Sequence, residues 1–282
     1  MELRIQKKYK SLSKMLNKDF PLNKKSISKL SSRGLPLNEL KMQIDESLDL
    51  FLELTRAQGL NIIKKQGKYY FESKFISLDD AEFCIVDIEA NGMNIERHQI
   101  IEIAAVKVKN GKIIDKYESL VYTKVINPII SEITGIFAKD TVDAPNLKTV
   151  MMEFKLFLDD AIFVAHDVKF DYNFISLNMQ KIGLEPLLNR SLCSLALAER
   201  TVISYKYSLS YLDKTYYLNK NAQHHRAMSD VLTTYALFLL SLKNCQESLN
   251  NVEDLIKFSK QAPRLKRPKF DPFLALEELE ED

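Results

Sequence analysis

Two acidic residues, Asp87 and Glu89, stand two positions apart after the apolar segment 83–86. Side chains two residues apart on a β-strand lie on the same face, so a strand here directs both carboxylates to one side. Two anions at this separation repel each other unless a cation lies between them. The spacing therefore predicts a metal site at the end of a buried strand, with a solvated acidic loop as the plainer alternative.

A third carboxylate, Asp171, follows in the segment VAHDVKFDYNFI. Phe170 and Phe174 are four residues apart, which places them on one face of a predicted helix and holds Asp171 near its start. A carboxylate there is also stabilised by the positive end of the helix dipole. Stabilisation of the helix is therefore the alternative to metal binding.

His225 and Asp230 stand five residues apart in HHRAMSDV, at the start of a long apolar segment that is predicted to be helical. An imidazole can accept a proton near neutral pH, and a carboxylate one turn into the helix can bind a metal ion. Taken alone, this pair is equally typical of a helix cap beside a surface histidine.

The segments that must position these residues alternate between strand and helix patterns. FCIVDIEANG is a predicted buried strand, and QIIEIAAVKV and KIIDKYESLVY follow it, joined through Asn110 and Gly111. An Asn-Gly pair between two apolar runs is a strong hairpin signal, so the three strands are expected to be antiparallel neighbours. A strand is predicted at 161–166 and helices at 147–158, 170–182, 209–218 and 227–242, while 191–197 is ambiguous. This order predicts an α/β fold, a mixed sheet flanked by helices.

Charge divides the chain into a basic head and an acidic body. Residues 1–78 contain 16 Lys and Arg against 8 Asp and Glu, and since the whole chain carries +2, the remainder carries −6. We predict a basic N-terminal domain over 1–78, a domain with the acidic motifs over 79–245, and a C-terminal helix and tail over 246–282. The head is expected to meet phosphates, and a solvated lysine-rich surface without a partner is the alternative.

The head is predicted to be mostly helical between residues 5 and 58, with breaks at Pro21 and around Gly34 and Pro36. Two short strands, 60–63 and 69–71, then flank a basic turn. Helices followed by a basic hairpin resemble a winged-helix module, whose hairpin can touch a nucleic-acid backbone. A helical docking domain for another protein is the alternative.

The tail after Lys260 contains three prolines and lacks the pattern of a packed core. We expect either a disordered terminus or a peptide that binds a partner. The apolar side chains available to such a peptide are Phe270, Phe273, Leu274 and Leu276.

Composition is that of a globular protein, with 46% hydrophobic and 28% charged residues. No segment approaches the roughly 18 apolar residues of a membrane span, and the basic N-terminus is not followed by an apolar stretch. We therefore expect a cytoplasmic protein without a membrane partner. Cys84, Cys193 and Cys245 lack metal-site spacing and are predicted to be reduced thiols.

Together, the three acidic motifs resemble those of the DEDDh 3′→5′ exonucleases, the family of the proofreading epsilon subunit of bacterial DNA polymerase III. The first motif appears as DIEANG, the second as AHDVKFDYNF and the third, H-x-A-x-x-D, as HRAMSD. HQIIEIAAVKV and SLCSLALAER also match the family. The likeness covers roughly residues 81–245 and implies a ribonuclease H-like fold.

The resemblance implies a role for each motif residue. Asp87 would bridge two divalent ions. Glu89 and Asp230 would hold the ion that activates water, Asp171 would support the other, and His225 would be the general base. Oxygen ligands favour two Mg²⁺ (or Mn²⁺) ions over zinc. The implied substrate is a DNA 3′ end, single-stranded or frayed, and the alpha subunit of DNA polymerase III is a candidate partner.

Two residues depart from the family pattern. Ile88 stands where threonine is frequent and is expected to be harmless, because it points away from the carboxylate face. Asp167 stands where asparagine is common and adds an anion near the site. Asn91, Gly92 and Met93 are predicted to contact the terminal nucleotide.

The remaining histidines are assigned by spacing. The distances to Ala227 and Asp230 in the sequence select His225 rather than His224 as the base. His98 and His166 are predicted to be structural.

Two other functions remain open from the sequence. The same five motif residues serve RNA-trimming members of the family, and recognition of the 2′-hydroxyl is not visible in the sequence. A binding or scaffold protein that keeps only the nuclease fold is the second alternative, and the complete set of carboxylates argues against it.

Overall fold

The computed structural model describes residues 20–223 and 225–273. The helix expected before residue 20, His224 and the tail residues Leu274 and Leu276 lie outside these ranges. Within them, the chain forms a three-stranded sheet in the head and a five-stranded sheet in the body.

In the described residues, the head combines three helices with a small antiparallel sheet. Its elements are α1 (Lys24–Leu30), β1 (Leu35–Pro36), α2 (Leu37–Lys41), α3 (Leu48–Ala57), β2 (Ile62–Lys65) and β3 (Lys68–Phe71), with sheet order β1-β3-β2. The hairpin turns at Gln66 and Gly67, both with positive φ. The head thus contains helices followed by a hairpin, and its likeness to a winged-helix module stays a prediction.

The amphipathic segment 37–59 is not one continuous helix, contrary to the prediction. Helix α2 ends at Lys41, and α3 begins after Ser47, whose hydroxyl accepts a hydrogen bond from the backbone N–H of Leu50 at 3.3 Å. A serine that caps in this way favours the start of a new helix over the continuation of the previous one. Strand β1 escapes sequence analysis because two residues are too few for a periodic pattern.

The body is the predicted mixed sheet flanked by helices. Its elements are β4 (Phe83–Ala90), β5 (Ile100–Lys109), β6 (Lys112–Leu120), α4 (Pro128–Thr134), α5 (Leu147–Leu158), β7 (Ile162–Ala165), α6 (Val168–Lys181), β8 (Ser191–Cys193), α7 (Ser194–Thr201), α8 (Leu209–Tyr216), α9 (Ala227–Lys243) and α10 (Val252–Gln261). The sheet order is β6-β5-β4-β7-β8. β4, β5 and β6 are antiparallel, as predicted, whereas β7 and β8 run parallel to β4.

The predicted hairpin joins β5 to β6, and the side chains of β4 alternate between the two faces of the sheet. Lys109 pairs with Lys112 around Asn110 and Gly111, whose φ values of 48° and 67° are those of a tight hairpin turn. One face of β4 packs on α5 and α6, and the other packs on α9 and α10. Helix α10 thus belongs to the same core, although it follows residue 245.

The head packs at the amino-terminal ends of the parallel strands. Asn61 Nδ2 donates to Asp160 Oδ2 at 2.7 Å, just before β7, and the N–H of Leu188 donates to the carbonyl of Gln58 at 3.0 Å, just before β8. A strand rises about 3.3 Å per residue, so the far end of β4 lies roughly 20 Å from this junction. The head therefore lies at the opposite end of β4 from Glu89.

A buried ion pair fixes this junction. Arg190 donates from Nε and Nη2 to the two carboxylate oxygens of Glu253, each at 2.7 Å, and Ser73 Oγ donates to the same carboxylate at 2.7 Å. The Arg190 guanidinium also lies 4.4 Å from the centre of the Phe71 ring. Head and body are thus joined by specific polar contacts.

Residues 262–273 of the tail lie against the chain's own surface. The N–H of Leu265 donates to the carbonyl of Glu199 at 2.9 Å, and Tyr211 Oη donates to Asp271 Oδ1 at 2.6 Å. The ring of Phe273 meets that of Tyr211 edge-on at 5.4 Å. The expectation of a disordered terminus is wrong for these residues, because polar and aromatic partners on α7 and α8 hold them.

Two further predictions concern membranes and thiols. No helix in the described ranges is long and apolar enough to cross a bilayer. All three cysteines are free, and Cys84 and Cys245 are buried.

Candidate active site

Asp87 and Glu89 lie within β4 rather than after it, on the face that packs against α9. Glu89 is paired across the sheet with Glu102 of β5. Ile88 points to the opposite face, is 5% exposed and packs in the core beneath α5 and α6. An isoleucine in place of the more frequent threonine therefore leaves the carboxylate face of β4 unchanged.

Asp171 lies in the first turn of α6 and is 3% exposed. The rings of Phe170 and Phe174 are 5.4 Å apart, as predicted from their spacing. The backbone of Ile88 donates a hydrogen bond to the Asp171 carboxylate, so this side chain reaches β4 at the first motif. Asp167, the residue before the helix, is exposed and has a left-handed backbone with φ of 69°.

His225 and Asp230 lie at the start of α9. The backbone N–H of His225 donates to Asp230 Oδ2 at 3.0 Å, and φ of His225 is 67°, a strained conformation for a residue with a side chain. One ligand atom each of Glu89, His225 and Asp230 lie within 4.8 Å of one another. Two motifs that are far apart in sequence therefore converge at one point.

Burial and mutual repulsion raise the pKa values of carboxyl groups at this site. Burial, followed by the neighbouring charge of Asp171, raises the pKa of Asp87 well above its usual range. Burial, followed by the charges of Asp230 and Glu102, raises the pKa of Glu89 to about 8. Burial also raises the pKa of Asp171, although hydrogen bonds from the backbone lower it in part and Asp167 raises it further.

This set of donors fits a divalent cation. Carboxylates that are enclosed together must either hold protons or share a positive ion, since burying several uncompensated anions is very costly. Asp87, Glu89, Asp171 and Asp230 offer hard oxygen ligands of the kind that Mg²⁺ and Mn²⁺ prefer. These four residues are therefore the ones that would hold metal.

The three residues predicted to contact the nucleotide have different surroundings. Asn91 Nδ2 donates to the carbonyl of Val125 at 2.8 Å, and its Oδ1 accepts from the N–H of Asn127 at 3.1 Å. A Cβ at Gly92, where φ is 139°, would lie 2.6 Å from the ring of His98. Met93 is 63% exposed. Their contact with a nucleotide remains a prediction, and only Met93 has a largely exposed side chain.

Two histidines make the internal hydrogen bonds expected of structural residues. His98 Nδ1 accepts from the N–H of Asn94 at 3.0 Å. His166 contacts Ser194 Oγ through Nδ1 at 3.0 Å and the carbonyl of Tyr207 through Nε2 at 2.9 Å. A carbonyl only accepts, so Nε2 of His166 carries the proton, and burial lowers the pKa of this histidine.

Sequence analysis misses two residues that border the site. Glu102 is 1% exposed, and its carboxylate forms an ion pair with Arg226 at 2.8 Å. The available signal was a glutamate in the otherwise apolar run IIEIAAV. An acidic residue within a buried strand requires a partner, but the sequence of the strand does not identify which residue that partner is.

Comparison with known families assigns this arrangement to a class. The model of the RNase T exonuclease family matches residues 84–238, more than half of the chain. The chain therefore belongs to this exonuclease family. It is an exonuclease with an α/β, ribonuclease H-like fold.

Individual relatives agree with this assignment. DNA polymerase III PolC-type from Staphylococcus aureus (strain bovine RF122 / ET3-1) is 36% identical over 196 residues, which cover 68% of this chain and 14% of the polymerase. The chain thus spans about a seventh of the curated relatives that it matches.

Two solved structures share the fold. Exonuclease X in complex with 5′ overhanging duplex DNA has a TM-score of 0.51 and 27% identity, covering 63% of this chain and 99% of its own. Exonuclease I of E. coli in complex with a dA16 oligonucleotide has a TM-score of 0.55 and 17% identity, covering 60% of this chain and 42% of its own. The second likeness is one of fold alone.

Proposed function

We propose that this exonuclease hydrolyses phosphodiester bonds at DNA 3′ ends, with two Mg²⁺ or Mn²⁺ ions as cofactors, and releases nucleoside monophosphates. The observation that carries the proposal is the convergence of Glu89, His225 and Asp230 within 4.8 Å, beside the carboxyl groups of Asp87 and Asp171. DNA is favoured because exonuclease X and exonuclease I have been solved with DNA. The 3′→5′ direction follows from the resemblance of the three motifs to the DEDDh enzymes.

Each site residue has a role in this proposal. Divalent ions bound here would lower the pKa of a bound water and stabilise the leaving 3′ oxygen. Asp87, Glu89, Asp171 and Asp230 would hold these ions through their carboxylate oxygens. His225 accepts the proton of the attacking water, because its ring is exposed beside two of these ligands and its backbone is tied to Asp230.

The cellular role proposed is proofreading or repair during DNA replication in the cytoplasm. The PolC-type relatives support it, since the matching part of the chain is similar to a segment of DNA polymerase III PolC-type. The alpha subunit of DNA polymerase III is the proposed partner, and a single-stranded or frayed 3′ end is the proposed substrate.

Direction and cofactor are tested with a single-stranded DNA oligonucleotide labelled at its 5′ end. We expect a ladder of shortened labelled products with Mg²⁺ or Mn²⁺, and none with a chelator. Immediate release of the label as a mononucleotide would show the opposite polarity. An RNA oligonucleotide of the same sequence distinguishes RNA trimming, which would be supported by faster degradation of the RNA.

The role of His225 is tested by His225→Ala. Loss of a general base lowers the hydrolysis rate by about 10²–10⁴-fold. Calorimetric titration with Mn²⁺ provides the control, because the carboxylates remain and metal binding should persist. Full activity of this variant would exclude His225 as the base, and absence of metal binding by the wild-type chain would favour the scaffold alternative.

A further inference from the structure

Glu102 is the third residue of β5 and lies directly opposite Glu89. Paired residues of antiparallel strands direct their side chains to the same face, so Glu102 lies on the face that carries the first motif. It is 1% exposed and does not belong to any of the three motifs. A buried glutamate beside a site already rich in carboxylates needs a specific reason to be there.

Both oxygens of Glu102 bind the start of α9. Oε1 accepts from Nη2 of Arg226 at 2.8 Å and from its Nε at 3.2 Å. Oε2 accepts from the backbone N–H of Ala227, the first residue of the helix, at 2.9 Å. Arg226 provides no side-chain cap of its own to α9. A carboxylate from another element therefore caps this helix.

The start of α9, which Glu102 caps, lies between His225 and Asp230 in the sequence. His225 immediately precedes Arg226, and Asp230 lies in the first turn that Glu102 caps. The hydrogen bond from His225 N–H to Asp230 links the two to each other, but the contacts of Glu102 link this segment to β5. Since β5 is paired with β4 at Glu89, the link extends to the first motif.

We propose that Glu102 and Arg226 form a positioning pair that holds the start of α9 against the sheet and thereby sets His225 and Asp230 relative to Glu89. The catalytic consequence rests on the proposed function, whereas the mechanical link does not. Removing one partner from a pair with a buried carboxylate is generally destabilising, so a lower melting temperature alone does not reveal a positioning role. The geometry of the site has to be measured separately.

The alternative is that the pair is merely one more structural contact. The chain contains a matched case, since Glu253 is 4% exposed and pairs with Arg190 through two hydrogen bonds at the head junction, far from the site. Glu253→Gln removes one charge from a buried glutamate–arginine pair, as Glu102→Gln does. Comparing the two variants distinguishes a general loss of stability from a displacement of His225 and Asp230 relative to Glu89.

The test uses the full chain with Glu102→Gln, Arg226→Met, the double substitution and Glu253→Gln. Residues that orient the ligands of a metal site change activity by about 10–100-fold, and we expect a fall in kcat of this size for each single variant at the site, with little change in KM. The double variant should fall no further than either single one. Arg226→Lys, which keeps the charge, should restore part of kcat, and Glu253→Gln should lower the melting temperature and leave kcat unchanged.

The readout independent of activity is amide hydrogen exchange of the metal-free protein. We expect faster exchange over residues 225–231 in Glu102→Gln and Arg226→Met, and no change there in Glu253→Gln. Unchanged exchange and kcat in folded variants at the site would overturn the proposal. If Glu102→Gln does not fold, the Arg226 variants decide it. An inactive wild-type chain would refute the proposed function, and the exchange comparison would still test the link.

Discussion

A carboxyl group enclosed beside other carboxyl groups holds its proton more tightly, and Asp87, Glu89 and Asp171 are in this situation. Metal ions bind the deprotonated form, so loading the site must release protons. The raised pKa values and the proposed metal binding therefore have the same electrostatic cause. Metal binding can be followed by the protons it releases, and the effect of pH can be followed by the metal that is bound.

The stability of the metal-free protein should fall as pH rises. The pKa of Glu89 is raised from its ordinary 4.5 to about 8, so the folded state binds more protons than the unfolded state between these values. The stabilisation is present below the unfolded pKa and is lost as pH rises through the folded pKa. Melting temperatures measured with a chelator across this window should fall, and the increase produced by Mg²⁺ should be larger at the alkaline end. A chelator series that rises instead would contradict the assignment.

Asp87→Asn should separate stability from activity. The amide keeps the shape of the side chain and removes one of the mutually repelling charges, so we expect the melting temperature of the metal-free protein at alkaline pH to rise. Hydrolysis should fall by about 10³-fold or more, an order-of-magnitude expectation for loss of a proposed metal ligand. Thermal melts and the labelled-oligonucleotide assay provide the two measurements.

The control for this substitution is Asp143→Asn, which removes the same charge from an exposed aspartate. It should change neither the melting temperature nor the hydrolysis rate. An Asp87→Asn protein that is less stable than the wild type without metal would mean that the carboxyl groups do not repel as described.

At the scale of the elements, local signals were sufficient where one short segment determines the structure. Asn110 and Gly111 specify a turn in themselves, and the spacing of Phe170 and Phe174 specifies the face of α6. The link between Glu102 and Arg226 joins residues 124 positions apart, and it depends on the register of β5 against β4. No local pattern encodes that register, because it is set by packing across the whole sheet.

The exposed residues of the head indicate which of its elements is suited to contact phosphates. Helix α3 exposes Leu50 and Leu54, and it carries the acidic residues Asp49 and Glu53 on its solvent side. Such a helix is poorly suited to enter the groove of a polyanion. Any contact between this head and phosphates is therefore expected at the hairpin rather than at α3.

The hairpin residues Lys64, Lys65 and Lys68 are exposed, and no acidic residue in the described part of the chain forms an ion pair with them. We expect the triple change of these lysines to Glu to weaken DNA binding. For every phosphate that the hairpin no longer neutralises, the slope of log affinity against log salt should become shallower by about 0.9 with duplex DNA and about 0.7 with single-stranded DNA. Hydrolysis of a short oligonucleotide at saturation should not change, because the head lies at the other end of β4. Fluorescence anisotropy across a salt series measures the slope.

A matched triple variant carries Lys112→Glu, Lys116→Glu and Lys148→Glu, which are exposed lysines of the body. It makes the same change of net charge away from the hairpin. Equal weakening by both variants would indicate a general effect of charge, and no weakening by the hairpin variant would favour the head as a protein-docking domain.

At the scale of the whole molecule, the tail connects to the body through a buried charge. Glu199 is 5% exposed and pairs with Arg264 at 2.9 Å and with Arg267 at 3.1 Å. Its remaining basic neighbour, Arg200, is 3.9 Å away. Removing the tail would take away both close cationic partners of this carboxylate and the contacts that cover it. The tail residues up to Phe273 therefore have a structural role.

This role determines how a polymerase partner must be sought. A chain that ends at Lys260 lacks Arg264 and Arg267, the two close partners of Glu199, and the hydrogen bond between Tyr211 and Asp271. We therefore expect its melting temperature to fall by several degrees, at about 2–4 °C per kcal/mol for a chain of this size. A chain that ends at Phe273 keeps these interactions and should melt like the full-length protein. Capture of a replicative polymerase by the full-length chain, and its absence with the chain ending at Phe273, would assign the docking contact to residues 274–282. Failure only of the chain ending at Lys260 would reflect its damaged fold, and equal capture by all three would exclude the tail as the docking peptide.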